Sequence, residues 1–158
     1  MSKIAILTDS SCDIPQELAE KYGIDIMGFH ILLDDEDIVE REKYTPEEFY
    51  DKMRAAKGIP STAAITPIQF CEKYCQYVDE GCTDVIHVPI NRSGSSTYNN
   101  AVMAQGMLRE ERPEHHLNIH LSTPTPTRWC SAGICARWPA SCRTARSSAT
   151  SSASLRPR

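Results

Sequence analysis

All 21 acidic residues of this 158-residue chain lie before Ser122. Six of its 17 basic residues lie at or beyond that point, all of them arginine, so residues 122–158 carry +6 while residues 1–121 set 21 acids against 11 bases, a net of −10. The later stretch holds eight Ser, five Thr, four Pro and three Cys, with Ile134 and Leu155 as its large aliphatic side chains and Trp129 and Trp138 as its aromatic ones. No helix or strand period runs through it, and it cannot bury enough apolar surface to offset the entropy of ordering. Residues 1–121 must therefore supply the fold, and residues 122–158 read as a low-complexity basic tail that is not a domain.

Three readings of the tail are open: an Arg/Ser arm for nucleic acid or acidic lipid, a natural disordered extension, and translation out of frame. The third can be checked against the residues. If one base is lost just before the codon for Ser122, permitted wobble choices restore a text that opens Ile-Asp-Thr after Leu121. It continues through a turn into an amphipathic helix closed by glycine, as ordinary α/β sequence does. The expectation is a frameshifted, non-native tail and a truncated chain.

Composition excludes several classes. With 41% hydrophobic and 24% charged residues the balance is that of a soluble globular protein. No run of 18 apolar residues offers a transmembrane segment. Lys3, followed by a short apolar stretch containing Asp9, is no secretory signal. Seven cysteines without regular spacing read as reduced thiols, so the expected location is cytoplasmic. A net charge of −4 argues against a nucleic-acid partner.

Strand and helix patterns alternate along residues 1–121. Lys3–Leu7 is an apolar run ending in Thr8-Asp9-Ser10-Ser11, as a buried parallel strand delivering a loop would be. A helix runs from Pro15 to Tyr22, with Asp13 as its expected cap and Gly23 as its stop. Ile24–Leu33 reads as one β-leaning run, followed by Asp34-Asp35-Glu36-Asp37 as a charged turn. Thr45-Pro46-Glu47-Glu48 is a capping box for a helix ending at Gly58, and Thr66-Pro67 opens another ending at Gly81. Asp84–Ile90 is a strand, Ser95–Arg112 a helix stopped by Pro113, and Leu117–Leu121 a strand. The fold class is α/β, a parallel sheet sandwiched by helices.

Three hydroxyl-rich loops fall at strand ends or helix starts: Thr8 to Asp13, Ser61 to Thr66, and Asn91 to Tyr98. In open α/β sheets ligands sit outside the carboxyl ends of the strands. Hydroxyls and amides at a helix N-terminus suit a carboxylate or phosphate. Any one of these loops alone reads as caps and turns. The three together point to an anion-headed ligand.

These same residues carry a resemblance. Thr8-Asp9-Ser10-Ser11-Cys12-Asp13-Ile14-Pro15 resembles the Thr-Asp-Ser-Thr-x-Asp-Leu-Pro opening of the DegV family of fatty-acid-binding proteins. Thr45 to Tyr50 is similar to a helix of that family. Pro60-Ser61-Thr62 with Thr66-Pro67 resembles its Thr-Ser-Gln-Pro-Ser-Pro loop. Ile90 to Ala101 resembles its Ile-Ser-Ser-x-Leu-Ser-Gly-Thr-Tyr-x-x-Ala motif, with Ser95, Thr97, Tyr98 and Ala101 retained. The resemblance runs in order over residues 3–121. It implies the EDD fold, a two-domain α/β protein that holds one long-chain fatty acid, with no cofactor, and presents it to a separate fatty acid kinase. It places the acyl carboxylate on Thr62 and Ser95, with Ser96 and Thr97 assisting, while Asp9, Ser10 and Ser11 shape the first loop. The chain departs from the pattern at Ala63-Ala64-Ile65, Asn91-Arg92, Gly94 and Ser96, and the family's C-terminal domain has no counterpart in it.

Other signals read more plainly. Cys71-x3-Cys75 puts two thiols one helical turn apart with Cys82 nearby, but a metal would want a convergent fourth ligand and no His sits at ligand spacing, so the cysteines read as small buried hydrophobes and no metal is expected. His30 and His87 read as satisfied strand residues, and His115-His116 as solvated. Asp9 and Asp13 leave a small hydrolase or phosphatase as an alternative function, without a partner base elsewhere. A non-functional fragment is the other alternative. The expected protein is not an enzyme and has no catalytic residue.

Overall fold

The protein's structure, here a computed structural model, describes residues 2–122. The readings of the tail beyond Ser122 lie outside the described residues. In chain order the elements are β1 (Ile4–Asp9), a 3-10 turn (Ser10–Cys12), α1 (Gln16–Tyr22), β2 (Ile24–Met27), β3 (His30–Leu33), β4 (Glu36–Val39), α2 (Pro46–Ala55), β5 (Ser61–Ala63), α3 (Pro67–Asp79), β6 (Asp84–Val88), α4 (Thr97–Glu111) and β7 (Asn118–Leu121). Four strands form an all-parallel sheet in the order β2-β1-β6-β7. The others form an antiparallel sheet in the order β4-β3-β5.

The parallel sheet is α/β, as the alternating patterns predict. Ala5 pairs with Val85 and Leu7 with His87, so these four share a face. That face packs on Phe70, Tyr74, Ala101 and Ala104 of α3 and α4, and the small alanines let the two helices approach closely. Strand order moves one way from β1 to β2 and the other way from β6 to β7, so right-handed crossovers send α1 and α4 to opposite faces. The seven-residue α1 covers its side thinly, leaving Ile4 and Ile86 56% and 40% exposed.

Where the residues predict one run, Ile24–Leu33, the chain makes two strands in two sheets. Gly28 marks the break. A Cβ there would lie 2.4 Å from the Glu40 carbonyl oxygen and 2.8 Å from the Val39 side chain. Only glycine lets the two segments pass so closely. β3 then collects β4 and β5 around a second small core of Ile31, Leu33 and Ile38, with Tyr44 and Phe49 against it. Both added strands are short, and β5 is exposed throughout, so their ladders arise from pairing with β3 rather than from their own pattern.

Local chemistry accounts for most boundaries. Both expected capping boxes form, Thr45 with Glu48 and Thr66 with Gln69, each with proline in the first turn. Gly23 and Gly81 end their helices at φ +61° and +75°. Asp13 does not cap α1: it is left-handed at φ +52° and closes the 3-10 turn, while Pro15 opens the helix. The acidic stretch divides. Asp34, also left-handed, accepts the Lys57 and Gly58 amides at 3.3 and 2.8 Å, whereas Glu36 and Asp37 belong to β4. Hydrogen bonds from Lys43 and then Lys52 hold the Glu36 carboxyl down at about 2. Among the described residues no helix is long and apolar enough to cross a membrane.

Candidate functional site

The chain leaves β1 toward β2 and leaves β6 toward β7, in opposite directions from adjacent central strands. The loops after β1 and β6 therefore diverge, opening a crevice at the carboxyl end of the sheet. Thr8 closes its floor by donating its hydroxyl to the Val88 carbonyl at 2.9 Å. Asp9, 1% exposed, ties the two loops together. One carboxylate oxygen accepts the Ile90 amide at 2.6 Å, and the other accepts the Ser11 amide and hydroxyl at 3.1 and 2.5 Å. Both oxygens of Asp9 are thus buried and engaged within the protein.

Ser10 is equally committed. Its hydroxyl donates to the Glu40 carboxylate and accepts the Phe29 amide at 3.1 Å. Arg41 reaches the same loop, donating to the Ile14 carbonyl at 2.6 Å and the Ser10 carbonyl at 3.4 Å. The β1 loop is thus held by the segment after β4. Glu40 and Arg41 escape a reading of the residues alone, because nothing local marks them and they act across 30 and 27 positions.

The loop after β6 turns on Asn91, whose side chain accepts the Ser93 amide at 3.0 Å and whose carbonyl accepts the Gly94 amide at 2.9 Å. It delivers Ser95, half-buried, to the start of α4. Thr97 beside it is fully buried. Among the described residues its hydroxyl meets one partner, the Ser95 hydroxyl, at 2.8 Å. A buried hydroxyl proton needs an acceptor, so Thr97 donates and Ser95 accepts. Ser95 Oγ also accepts the Thr97 amide at 3.2 Å. Both lone pairs of Ser95 are then used, and its own proton is left to point outward. Ser95 is a pure donor at a helix N-terminus with no acidic residue in its first turn, a setting that favours an anion. Ser96 is exposed and makes no side-chain cap.

Thr62 comes from the other sheet. It pairs with Ile31 in the β3–β5 ladder and its side chain is exposed. Among the described residues its hydroxyl makes no hydrogen bond, and nothing joins it directly to Ser95. Two side chains position it indirectly. Asn100 of α4 donates to the Ile65 carbonyl at 2.8 Å, strapping the segment after β5 to the first turn of α4. Gln69 accepts the Thr66 amide with its oxygen, so its nitrogen donates to His30 Nε2 at 3.0 Å. His30 Nδ1–H consequently points at Asp37, 2.9 Å away. The cap of α3 is in this way anchored to β3 and β4.

Behind the crevice lies His87, fully buried against Phe70 with ring centroids 5.0 Å apart. Its Nδ1 meets the Tyr74 hydroxyl at 2.8 Å and its Nε2 has no partner among the described residues. Burial holds this imidazole down at about 4, so the ring is neutral near pH 7.

Comparison with known proteins places the fold. A family model described as "Uncharacterised protein, DegV family" matches residues 3–122. A DegV domain-containing protein of Clostridium perfringens is 36% identical over 112 residues, covering 70% of this chain and 39% of the relative. Another from Caldanaerobacter subterraneus is 34% identical over 114 residues, 72% of this chain and 40% of that one. The chain thus spans well under half the length of these relatives. Among solved structures, a stearic-acid-binding protein from Eubacterium ventriosum superposes with a TM-score of 0.65 at 25% identity, covering 75% of this chain and 40% of that one. A Thermotoga maritima protein described as revealing fatty acid binding function gives 0.61 at 26% identity, covering 89% and 52%.

Proposed function

This chain belongs to the DegV family, and from that premise we propose that residues 1–121 form the α/β lobe that grips the carboxylate of a long-chain fatty acid. The observation that carries the reading is the Thr97–Ser95 relay, which leaves the Ser95 hydroxyl with one role, donation. Thr62 supplies the second donor from the facing sheet, and the amides at the start of α4, near Ser96 and Thr97, add to the field. Neutral donors suit a carboxylate that must be released again, because no buried ion pair has to be broken. The acyl chain adds about 0.8 kcal/mol for each methylene it buries. Asp9, Ser10 and Ser11 shape the crevice.

In the same reading the protein performs no chemistry itself. It presents the bound acid to a separate fatty acid kinase in the cytoplasm. A hydrolase centred on Asp9 is disfavoured by the engagement of both its oxygens. The family match ends at residue 122, where the composition changes. That coincidence supports residues 1–121 as the lobe and the rest as a frameshifted tail. Sequencing the source DNA against close relatives checks this, since an intact frame removes the idea.

The test of binding is native mass spectrometry with lipid extraction of the purified chain. A copurifying fatty acid near one per chain is the expected result. Ser95→Ala should then cost about 1.5–3 kcal/mol, the value of a hydrogen bond to a charged group, or about 10- to 150-fold in affinity. A lipid-free protein that also fails to take up added stearic acid would assign this chain to an inert fragment.

A further inference from the structure

The structure assigns a second site, for a thiophilic divalent cation such as zinc, to Cys71 and Cys75 of α3 and Glu111 of α4. It is independent of the fatty-acid reading. Cys71 and Cys75 stand four residues apart, so their thiols share one helical face. Packing of α3 on α4 brings the carboxylate of Glu111 to that face, across 40 and 36 positions of sequence. The three donor atoms lie within 4.8 Å of one another.

The distances are the argument. Zinc bonds of about 2.3 Å to sulfur and 2.0 Å to oxygen, at a tetrahedral angle, separate sulfur from oxygen by about 3.5 Å. The same Glu111 oxygen lies 3.7 Å from Cys71 Sγ and 3.5 Å from Cys75 Sγ. Without an ion, each thiol donates its proton to that oxygen. With one, each thiol releases its proton to solvent and the freed lone pairs converge on the metal. Two thiolates select a soft cation over calcium or magnesium. Three protein ligands leave the fourth position to water.

Access and placement fit this role. Cys71 is buried, Cys75 half-buried and Glu111 exposed, so the ion enters from solvent beside Glu111. Arg112, paired with Asp79 at 3.5 Å, places positive charge next to a ligand set that carries −3 once deprotonated. At 1.5 Å per residue, Glu111 lies about 21 Å along α4 from Thr97. The site is a clasp between the two helices at the end of α4 remote from the carboxylate grip.

Cobalt(II) titration of the reduced full-length chain tests it, with Cys130, Cys135 and Cys142 replaced by serine to remove the tail thiols. The expected result is a thiolate-to-cobalt charge-transfer band that saturates at one ion per chain and is displaced by zinc. Zinc alone should raise the thermal midpoint. Cys75→Ser, at a half-buried position, should abolish the band while the chain keeps its circular dichroism. Glu111→Gln, at an exposed position, should weaken cobalt by more than the about 10- to 100-fold that loss of an outer-shell partner costs. Absence of the band, or a band that survives Cys75→Ser, overturns the assignment.

Discussion

Thr97 has no path to a ligand, yet the direction of the Ser95 proton depends on it. A buried hydroxyl with a single neighbour must spend its proton there, and that choice turns Ser95 outward. Thr97→Val keeps the volume and removes the donor, so Ser95 regains a free lone pair and is no longer restricted to donating. Fatty-acid affinity should fall by about 0.5–1.5 kcal/mol, the net worth of one neutral hydrogen bond, roughly two- to tenfold. Thr97→Ser should restore it. Fluorescent fatty-acid displacement on the three proteins makes the comparison, and equal affinities for all three would remove the relay. The same logic separates neighbouring hydroxyls that look alike in sequence. Ser10 and Ser95 both follow central strands, but Ser10 is spent on Glu40 and Phe29. The hydroxyl-rich loops were legible from the residues. That Ser10 is already spent was not, because its partners lie 19 and 30 positions away.

At the scale of elements, the helix starts are the most predictable part of the molecule. Thr45-Pro46-Glu47-Glu48 and Thr66-Pro67 carry all their information within four residues, and both boxes form. The Thr66 box does more than begin α3. It orients Gln69, which holds His30 and through it β3, the strand on which Thr62 pairs. Thr66→Ala should therefore cost about 1 kcal/mol of stability as a lost cap and also loosen the Thr62 ladder. Amide hydrogen exchange is expected to show faster exchange at residues 61–63 in this variant, with no such change in Thr45→Ala. An equal response to both substitutions would mean the box acts on its helix alone. The strands were less legible. β4 and β5 are short, and β5 is exposed throughout, so neither shows a hydrophobic period. They exist because β3 offers both its edges. The division of Ile24–Leu33 is likewise a matter of contact, since nothing but the approach of Glu40 to Gly28 distinguishes that glycine from a bulge or a turn.

For the whole molecule, stability should fall on mild acidification. Burial depresses the His87 imidazole from its usual 6.5 to about 4, so between those values the unfolded chain binds a proton that the folded chain refuses. Stability is therefore full above the unfolded value and is lost as pH drops through this window, at up to about 1.4 kcal/mol per pH unit. Chemical denaturation at several pH values should show this slope in the native chain and a flatter one in His87→Leu. The Glu36 contribution, lost only between 4.5 and about 2, falls below most of that window. Extending the chain after Leu121 with the alternative-frame text tests the molecule at its other weak point, the thinly covered face bearing Ile4 and Ile86. If the added segment buries them, even about 1 kcal/mol of gain should lift the thermal midpoint by about 4 °C, and scanning calorimetry of the two chains decides it. From the residues alone came the α/β class, the parallel strands, the helix caps, the family and the break at Ser122, because periodicity, capping and composition act over a few neighbours. The tertiary structure alone decided that Asp9 is a brace between loops 81 positions apart, that the Ser10 hydroxyl is spent on Glu40 and Phe29, and that Glu111 meets two cysteines. Each of these rests on groups brought together by sheet order and helix packing, which no local stretch of chain encodes.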